Sequence, residues 1–144
     1  MLKSIEYPYA HLHAQLDQGV LILSIDRAEA KNALNMDLYI NLRQAICEAD
    51  QASEVRVLIL RGVDQDFSAG NDIQSFFQLP ELPQAGQAGS TPPFMLLKAM
   101  AEFSKPCIAA VRGACIGVAN TLLLHFDFVY ADNTATFQMP FVSL

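Results

Sequence analysis

No apolar stretch of this sequence is long enough to cross a bilayer. The run from Cys107 to Val111, for example, is broken at once by Arg112 and Gly113, so no membrane-inserted helix is expected. The first residues, Met1-Leu2-Lys3-Ser4-Ile5-Glu6, lack the apolar centre of a secretion signal. Cysteine is scarce. Cys47, Cys107 and Cys115 are too few and too scattered for a disulfide framework or a zinc site, and read as buried free thiols in a reducing compartment. Positive charge is short as well: nine Lys and Arg against fifteen Asp and Glu give a formal net charge of −6. That argues against a nucleic-acid partner, because phosphate binding needs a basic surface. An anionic small molecule remains admissible where a few basic side chains converge. Neither G-x-G-x-x-G nor a Walker loop occurs, so the chain carries no dinucleotide or triphosphate fingerprint.

Apolar residues are abundant: 52% of the 144 residues are hydrophobic and 17% are charged. This suffices to bury one core and excludes disorder, in a length suited to one domain. Gly19–Ile25, Val55–Leu60, Pro106–Val111 and Phe126–Ala131 read as strands from their β-branched content and turn-bounded lengths. Tyr9–Leu16 can pair with the first of these as a hairpin turned at Asp17-Gln18-Gly19. A helix is predicted from Asn35, a candidate N-cap. Asp37 would sit in its positive first turn, and Leu38, Leu42, Ala45, Ile46 and Ala49 share one face. Further helices are predicted over Pro93–Phe103 and from about Gly117 through Leu122, Leu123 and Leu124. Strands alternating with helices indicate an α/β layer structure. Gln78–Pro92, with three prolines and two glycines and no periodicity, is expected to be a mobile surface loop.

Two strand-end segments are built of small residues. Asp66-Phe67-Ser68-Ala69-Gly70-Asn71-Asp72-Ile73 follows the second main strand. Small side chains there let backbone approach a ligand, and successive N–H groups in a tight turn form an anion-binding concavity; an ordinary strand-to-helix turn with Gly70 at positive φ is the competing reading. Arg112-Gly113-Ala114-Cys115-Ile116-Gly117-Val118-Ala119-Asn120 leads into a helix. Its unpaired first N–H groups suit a developing oxyanion, and close helix–strand packing is the alternative. Together the two loops indicate a site at the carboxyl edge of a sheet.

A family resemblance joins these pieces. Asp26-Arg27-Ala28-Glu29-Ala30-Lys31-Asn32-Ala33-Leu34-Asn35 resembles the N-R-P-x-x-x-N-A-L segment of the crotonase superfamily. Phe67-Ser68-Ala69-Gly70-Asn71-Asp72-Ile73 resembles its F-x-A-G-x-D-I/L turn. Lys105-Pro106-Cys107-Ile108-Ala109-Ala110-Val111-Arg112-Gly113, followed by Gly117, is similar to its K-P-x-I-A-A-V-x-G-x-x-x-G block. The resemblance implies a crotonase-like α/β fold of repeated β-β-α units, with two nearly perpendicular sheets ringed by helices. It implies that the backbone N–H groups of Asn71 and Val118 form an oxyanion hole for a thioester carbonyl, one donor of which is typically worth about 10²–10³ in rate. It further implies that Lys31, Ala33, Ala69, Gly70, Asp72 and Ile73 border the coenzyme A of an acyl-CoA thioester, with no prosthetic group and no metal. A solvated surface lysine is the plainer reading of Lys31.

Hydratases of the superfamily use two glutamates, at positions occupied here by Thr121 and Phe141, neither of which can deprotonate water. Gly117-Val118-Ala119-Asn120-Thr121-Leu122-Leu123-Leu124, Phe126-Asp127 and Ala135-Thr136-Phe137-Gln138-Met139-Pro140-Phe141, with Asn71-Asp72, resemble instead the Δ3-Δ2-enoyl-CoA isomerases of fatty-acid metabolism. The single carboxylate of that branch belongs to a Pro-Glu-Gly segment expected just beyond Leu144. The acids closer by, Asp72 and Asp127, read as turn or cap residues. The chain is therefore expected to hold the N-terminal part of such an isomerase, without the C-terminal helices that drive trimer or hexamer formation, and to expose apolar surface. Phe76, Phe77 and Phe94 are candidates for contact with the acyl chain, with core packing an equal alternative for Phe94. A non-catalytic acyl-CoA-binding or assembly remnant, or another crotonase reaction such as thioester hydrolysis or dehalogenation, stays open. A cytoplasmic location is expected: the ending Val142-Ser143-Leu144 is not a peroxisomal Ser-Lys-Leu address.

Overall fold

A computed structural model of the chain describes residues 3–5, 8–77 and 88–140. In chain order its elements are β1 (Lys3–Ile5), β2 (Leu12–Asp17), β3 (Val20–Ile25), α1 (Met36–Gln51), β4 (Val57–Gly62), α2 (Ile73–Phe77), α3 (Pro92–Glu102), β5 (Cys107–Val111), β6 (Ala114–Ile116), α4 (Val118–Leu123), β7 (Phe128–Ala131) and β8 (Thr136–Gln138). A six-stranded sheet has the order β1-β2-β3-β4-β5-β7, and β6 and β8 form a second sheet. The first two pairings are antiparallel, and β3, β4, β5 and β7 run parallel.

The hairpin joining β2 to β3 turns through Gln18 and Gly19, both at positive φ (47° and 87°), the two-residue geometry whose twist matches that of the strands. The turn also sets where β4 begins. The Gly19 carbonyl accepts from the Arg56 and Val57 amides at 2.7 and 3.1 Å, so Val55 and Arg56 serve as an anchored lead-in. The ladder then runs from Val20↔Val57 to Ile25↔Gly62. The strand thus lies two residues further on than the apolar run Val55–Leu60 suggests. Likewise Gly19, Pro106 and Phe126-Asp127 precede their strands, and Leu124 caps α4.

Helix α1 starts where Asn35 predicts: its side-chain oxygen accepts from the Leu38 amide at 2.9 Å, a cap worth about 1 kcal/mol. Leu38, Tyr39, Leu42, Ala45, Ile46 and Ala49 are buried along it. They share one core with Leu21 and Leu23 of β3, Leu58 and Leu60 of β4, and Leu96 and Met100 of α3. Each large aliphatic buried there contributes about 1.5–3 kcal/mol. Helix α3 carries prolines in its first turn, where no backbone N–H is needed.

Past each of the four parallel strands the chain makes a second, shorter extended contact. Leu34 bridges Asn71 and Ser68 bridges Cys115, both parallel, and β6 pairs with β8, also parallel. Strand, short second-layer strand, helix therefore recurs as β3–Leu34–α1, β4–Ser68/Asn71–α2, and β5–β6–α4, with β7–β8 opening a further round. These are the β-β-α units that the resemblance implies. Of the segment Gln78–Pro92, residues 78–87 lie outside the described residues, Ala88–Ser90 form a 3-10 turn, and α3 begins at Pro92. No helix among the described residues is long and apolar enough to cross a membrane.

Candidate functional site

The segment between β3 and α1 is organised by one buried side chain. Asn32 is fully buried. Its Oδ1 accepts from the Arg27 amide at 2.8 Å, and its Nδ2 donates to the Val63 and Asp66 carbonyls at 3.0 and 2.7 Å. The clasp holds Lys31 and Asn32 in the left-handed region (φ 51° and 57°), tolerable for Asn and costlier for Lys. It needs a glycine beneath it: a Cβ at Gly62 would stand 2.0 Å from the Asp66 carbonyl oxygen and 2.7 Å from Asn32 Nδ2.

The small-residue turn then docks on this segment. The Ala69 amide donates to the Lys31 carbonyl (2.9 Å), the Leu34 amide to the Gly70 carbonyl (2.7 Å), and the Asp72 amide to the Leu34 carbonyl (2.9 Å). Arg27 spans both loops, pairing through Nη1 with Asp72 Oδ2 at 2.7 Å and donating to the Ala33 carbonyl at 3.0 Å. The structure thus brings Lys31, Ala33, Ala69, Gly70 and Asp72 together. Ala33 is buried under the loop, whereas Lys31 is exposed and Ile73, opening α2, is 56% exposed.

Asn71 and Val118 lie on successive units. The Gly70 carbonyl points at Leu34, and a trans peptide directs its N–H opposite to its C=O. The Asn71 N–H therefore projects away from Leu34, to the side on which Ser68 exchanges bonds with Ala114 and Ile116 (2.9 and 3.1 Å). There Gly70, at φ 86°, touches the next unit. A Cβ on it would lie 2.4 Å from the Ile116 carbonyl oxygen and 3.8 Å from the Val118 nitrogen. Val118 is the first residue of α4, and the Gly117 carbonyl is taken by the Asn120 and Thr121 amides (3.0 and 3.2 Å), which leaves the Val118 N–H directed back out of the helix start. Among the described residues neither the Asn71 nor the Val118 amide donates to another group. Both border the Gly70–Ile116 contact.

The nearby acids are occupied. The hydrogen-bonded Arg27 guanidinium, foremost, holds the Asp72 carboxyl below the usual carboxylate range, against an opposing push from burial. Its Oδ1 also accepts from the Gln74 and Ser75 amides. Asp127 Oδ2 accepts from the Cys107 amide at 2.8 Å, tying the lead-in of β7 to β5. Asp72 is thus the cap residue that its type suggests, whereas Asp127 departs from that expectation: its carboxylate holds an amide twenty residues earlier rather than a local turn or helix end. Thr121 Oγ1 turns back to the Gly117 carbonyl at 3.5 Å; Phe141 lies outside the described residues. Of the aromatic candidates for acyl contact, Phe77 and Phe94 are exposed, and the side chain of Phe76 is outside the described residues. The cavities at the sheet ends, about 590 Å³ beside Arg61, Arg112 and Tyr130 and about 810 Å³ beside Lys105 and His125, do not include Gly70, Asn71 or Val118.

Reading the sequence missed Asn32 and Tyr39. Tyr39 is fully buried on α1, and its O–H donates to Asn71 Oδ1. The available signal was a phenol beside the apolar face of a helix, since a buried Tyr O–H needs a partner.

Known proteins carry the same architecture. Human enoyl-CoA delta isomerase 2 is 32% identical over 132 residues, covering 89% of this chain and 33% of the relative. Crotonyl-CoA hydratase of Syntrophomonas wolfei is 33% identical over 139 residues, covering 94% of this chain and 52% of the relative. The crystal structure of an enoyl-CoA hydratase/isomerase from Acinetobacter baumannii superposes with a TM-score of 0.90 at 53% identity, over 95% of this chain and 55% of that one. The chain thus spans between a third and about half of the length of these proteins. The sequence pattern of the enoyl-CoA hydratase/isomerase family matches residues 15–144, and with the repeated β-β-α units in place, the chain belongs to that family and has the crotonase fold.

Proposed function

We propose that this chain forms the acyl-CoA-binding part of an enoyl-CoA isomerase. In this reading the Asn71 and Val118 amides receive the thioester oxygen. Lys31, Ala33, Ala69, Gly70, Asp72 and Ile73 border the coenzyme A. The observation that carries it is the pair of unengaged amides meeting at the Gly70–Ile116 contact. Removal of a C2 proton from a 3-enoyl thioester leaves a dienolate whose charge gathers on the thioester oxygen. Two preorganised donors stabilise that charge, and return of the proton at C4 moves the double bond to C2. The proton carrier is a carboxylate expected beyond Leu144, because Asp72 and Asp127 are committed to Arg27 and Cys107. No prosthetic group is needed.

Calorimetric titration with octanoyl-CoA tests the binding. Saturable binding is expected, weakened roughly threefold to tenfold by Lys31→Ala through loss of one charge contact; no binding by the folded chain would sink the proposal. The commitment of both nearby acids favours a second reading, an acyl-CoA-binding protein without turnover. The two separate in protein that includes the downstream Pro-Glu-Gly segment. Conversion of 3-octenoyl-CoA to the conjugated 2-enoyl product there supports the isomerase, and binding without conversion supports the second reading.

A further inference from the structure

The apolar face of α1 holds one polar group, the Tyr39 hydroxyl. Burial pushes this phenol above its ordinary value, so it remains a neutral O–H donor throughout the physiological range. A buried hydroxyl requires a partner, and most such partners are backbone carbonyls or water. Here the partner is the side chain of Asn71, an exposed residue whose own N–H borders the Gly70–Ile116 contact.

We propose that Tyr39 is a positioning residue for the oxyanion donor: its O–H, by holding Asn71 Oδ1, keeps the peptide between Gly70 and Asn71 oriented toward the thioester oxygen. The inference rests on the reading in the preceding subsection. The argument is one of constraint. The peptide is flanked on one side by Gly70 at φ 86°, and glycine lets a peptide plane rotate at little steric cost. Backbone bonds to Leu34 fix the Gly70 carbonyl and the Asp72 amide. The third restraint comes from the Asn71 side chain, anchored on a sixteen-residue helix through a residue without solvent exposure. A donor held in advance needs no reorganisation when charge develops, which is where such groups stabilise a transition state. The consequence is selective. Loosening the tether should weaken ligands that place negative charge on the thioester oxygen, and leave those held through coenzyme A alone unaffected.

The test compares the affinities of free coenzyme A and of acetoacetyl-CoA, whose enolate carries the charge and is visible in the near ultraviolet. Tyr39→Phe removes the hydroxyl and keeps the ring. It should lower affinity for the bound enolate roughly threefold to tenfold, by analogy with the larger loss on deleting a donor, and leave affinity for coenzyme A within about twofold. Ile46→Val, a small truncation of the same buried face, controls for destabilisation and should leave the ratio of the two affinities unchanged. Asn71→Ala removes the tether from the exposed side and keeps every apolar core side chain, at the cost of leaving the buried Tyr39 hydroxyl without its partner; it should show the same selective loss, and keeps the question answerable if Tyr39→Phe folds poorly. The double variant should bind the enolate no more weakly than Asn71→Ala. Equal weakening of both ligands, an unchanged ratio, or additive losses in the double variant overturns the role of Tyr39. If the unsubstituted chain binds coenzyme A yet shows no preference for the enolate, the oxyanion site itself is wrong and the role of Tyr39 falls with it.

Discussion

Where α1 covers β3 and β4, Leu21, Leu23, Leu58 and Leu60 are at most 1% exposed, as are Leu38, Leu42 and Ile46 above them. At the β7 edge of the same sheet all four residues of that strand are exposed, with Phe128 at 58% and Tyr130 at 65%. Beside them, Phe137 of β8 and Met139 also face out. Parallel strands are ordinarily covered on both faces, and β7 is parallel, so the two regions share chemistry but differ in cover. The site borders the closed region: Asn32, Tyr39 and Gly70 are all buried. Its geometry is set by the covered part of the sheet, and substitutions should act in proportion to that cover.

The largest effect is expected from Leu42→Ala, which opens a cavity at a fully buried position. Denaturant titration should show a loss of about 2–5 kcal/mol. Asn32→Ala comes next. It strands the Arg27 amide and removes the donor to the Val63 and Asp66 carbonyls, for a loss of about 1–3 kcal/mol; a loss under half of that would mean the clasp is looser than its three bonds suggest. Asp72→Asn probes the Arg27 bridge through pH. The folded carboxyl titrates below its unfolded range, so the bridge stabilises above the unfolded value of about 4 and loses its effect as pH falls through the folded value. The variant should be less stable than the parent by about 1 kcal/mol at neutral pH, with the gap closing in acid; a gap that persists in acid contradicts the ion pair. The smallest stability effect belongs to Phe128→Ser on the open margin, within about 0.5 kcal/mol, accompanied by reduced self-association in light scattering, since exposed apolar edges associate. A large loss there would erase the contrast between the two regions.

What could be read from the residues follows the range of the interactions. The hairpin, α1 with its Asn35 cap, and the four parallel strands announce themselves through local periodicity and turn chemistry, and the ordered motifs announced the family. Strands β6 and β8, three residues each, are too short to show an alternation, and the bridges at Leu34, Ser68, Asn71 and Cys115 are single contacts between distant segments. Asn32 holds residues more than thirty positions away, and Tyr39 meets a partner 32 positions on. Such bonds leave no spacing in the sequence. The start of β4 is not legible locally for a related reason: the Gly19 carbonyl, far earlier in the chain, decides it.

The Gly70–Ile116 contact fixes more than a local packing distance. The two proposed donors come from consecutive rounds of the coil, and the gap between them is set by how closely one main chain can lie on the next where a hydrogen atom replaces a side chain. The side chain at 118 can therefore vary without altering the gap, whereas one added methyl at position 70 would wedge the rounds apart. The spacing of the two amides would then depend most sharply on the residue that contributes no functional group at all.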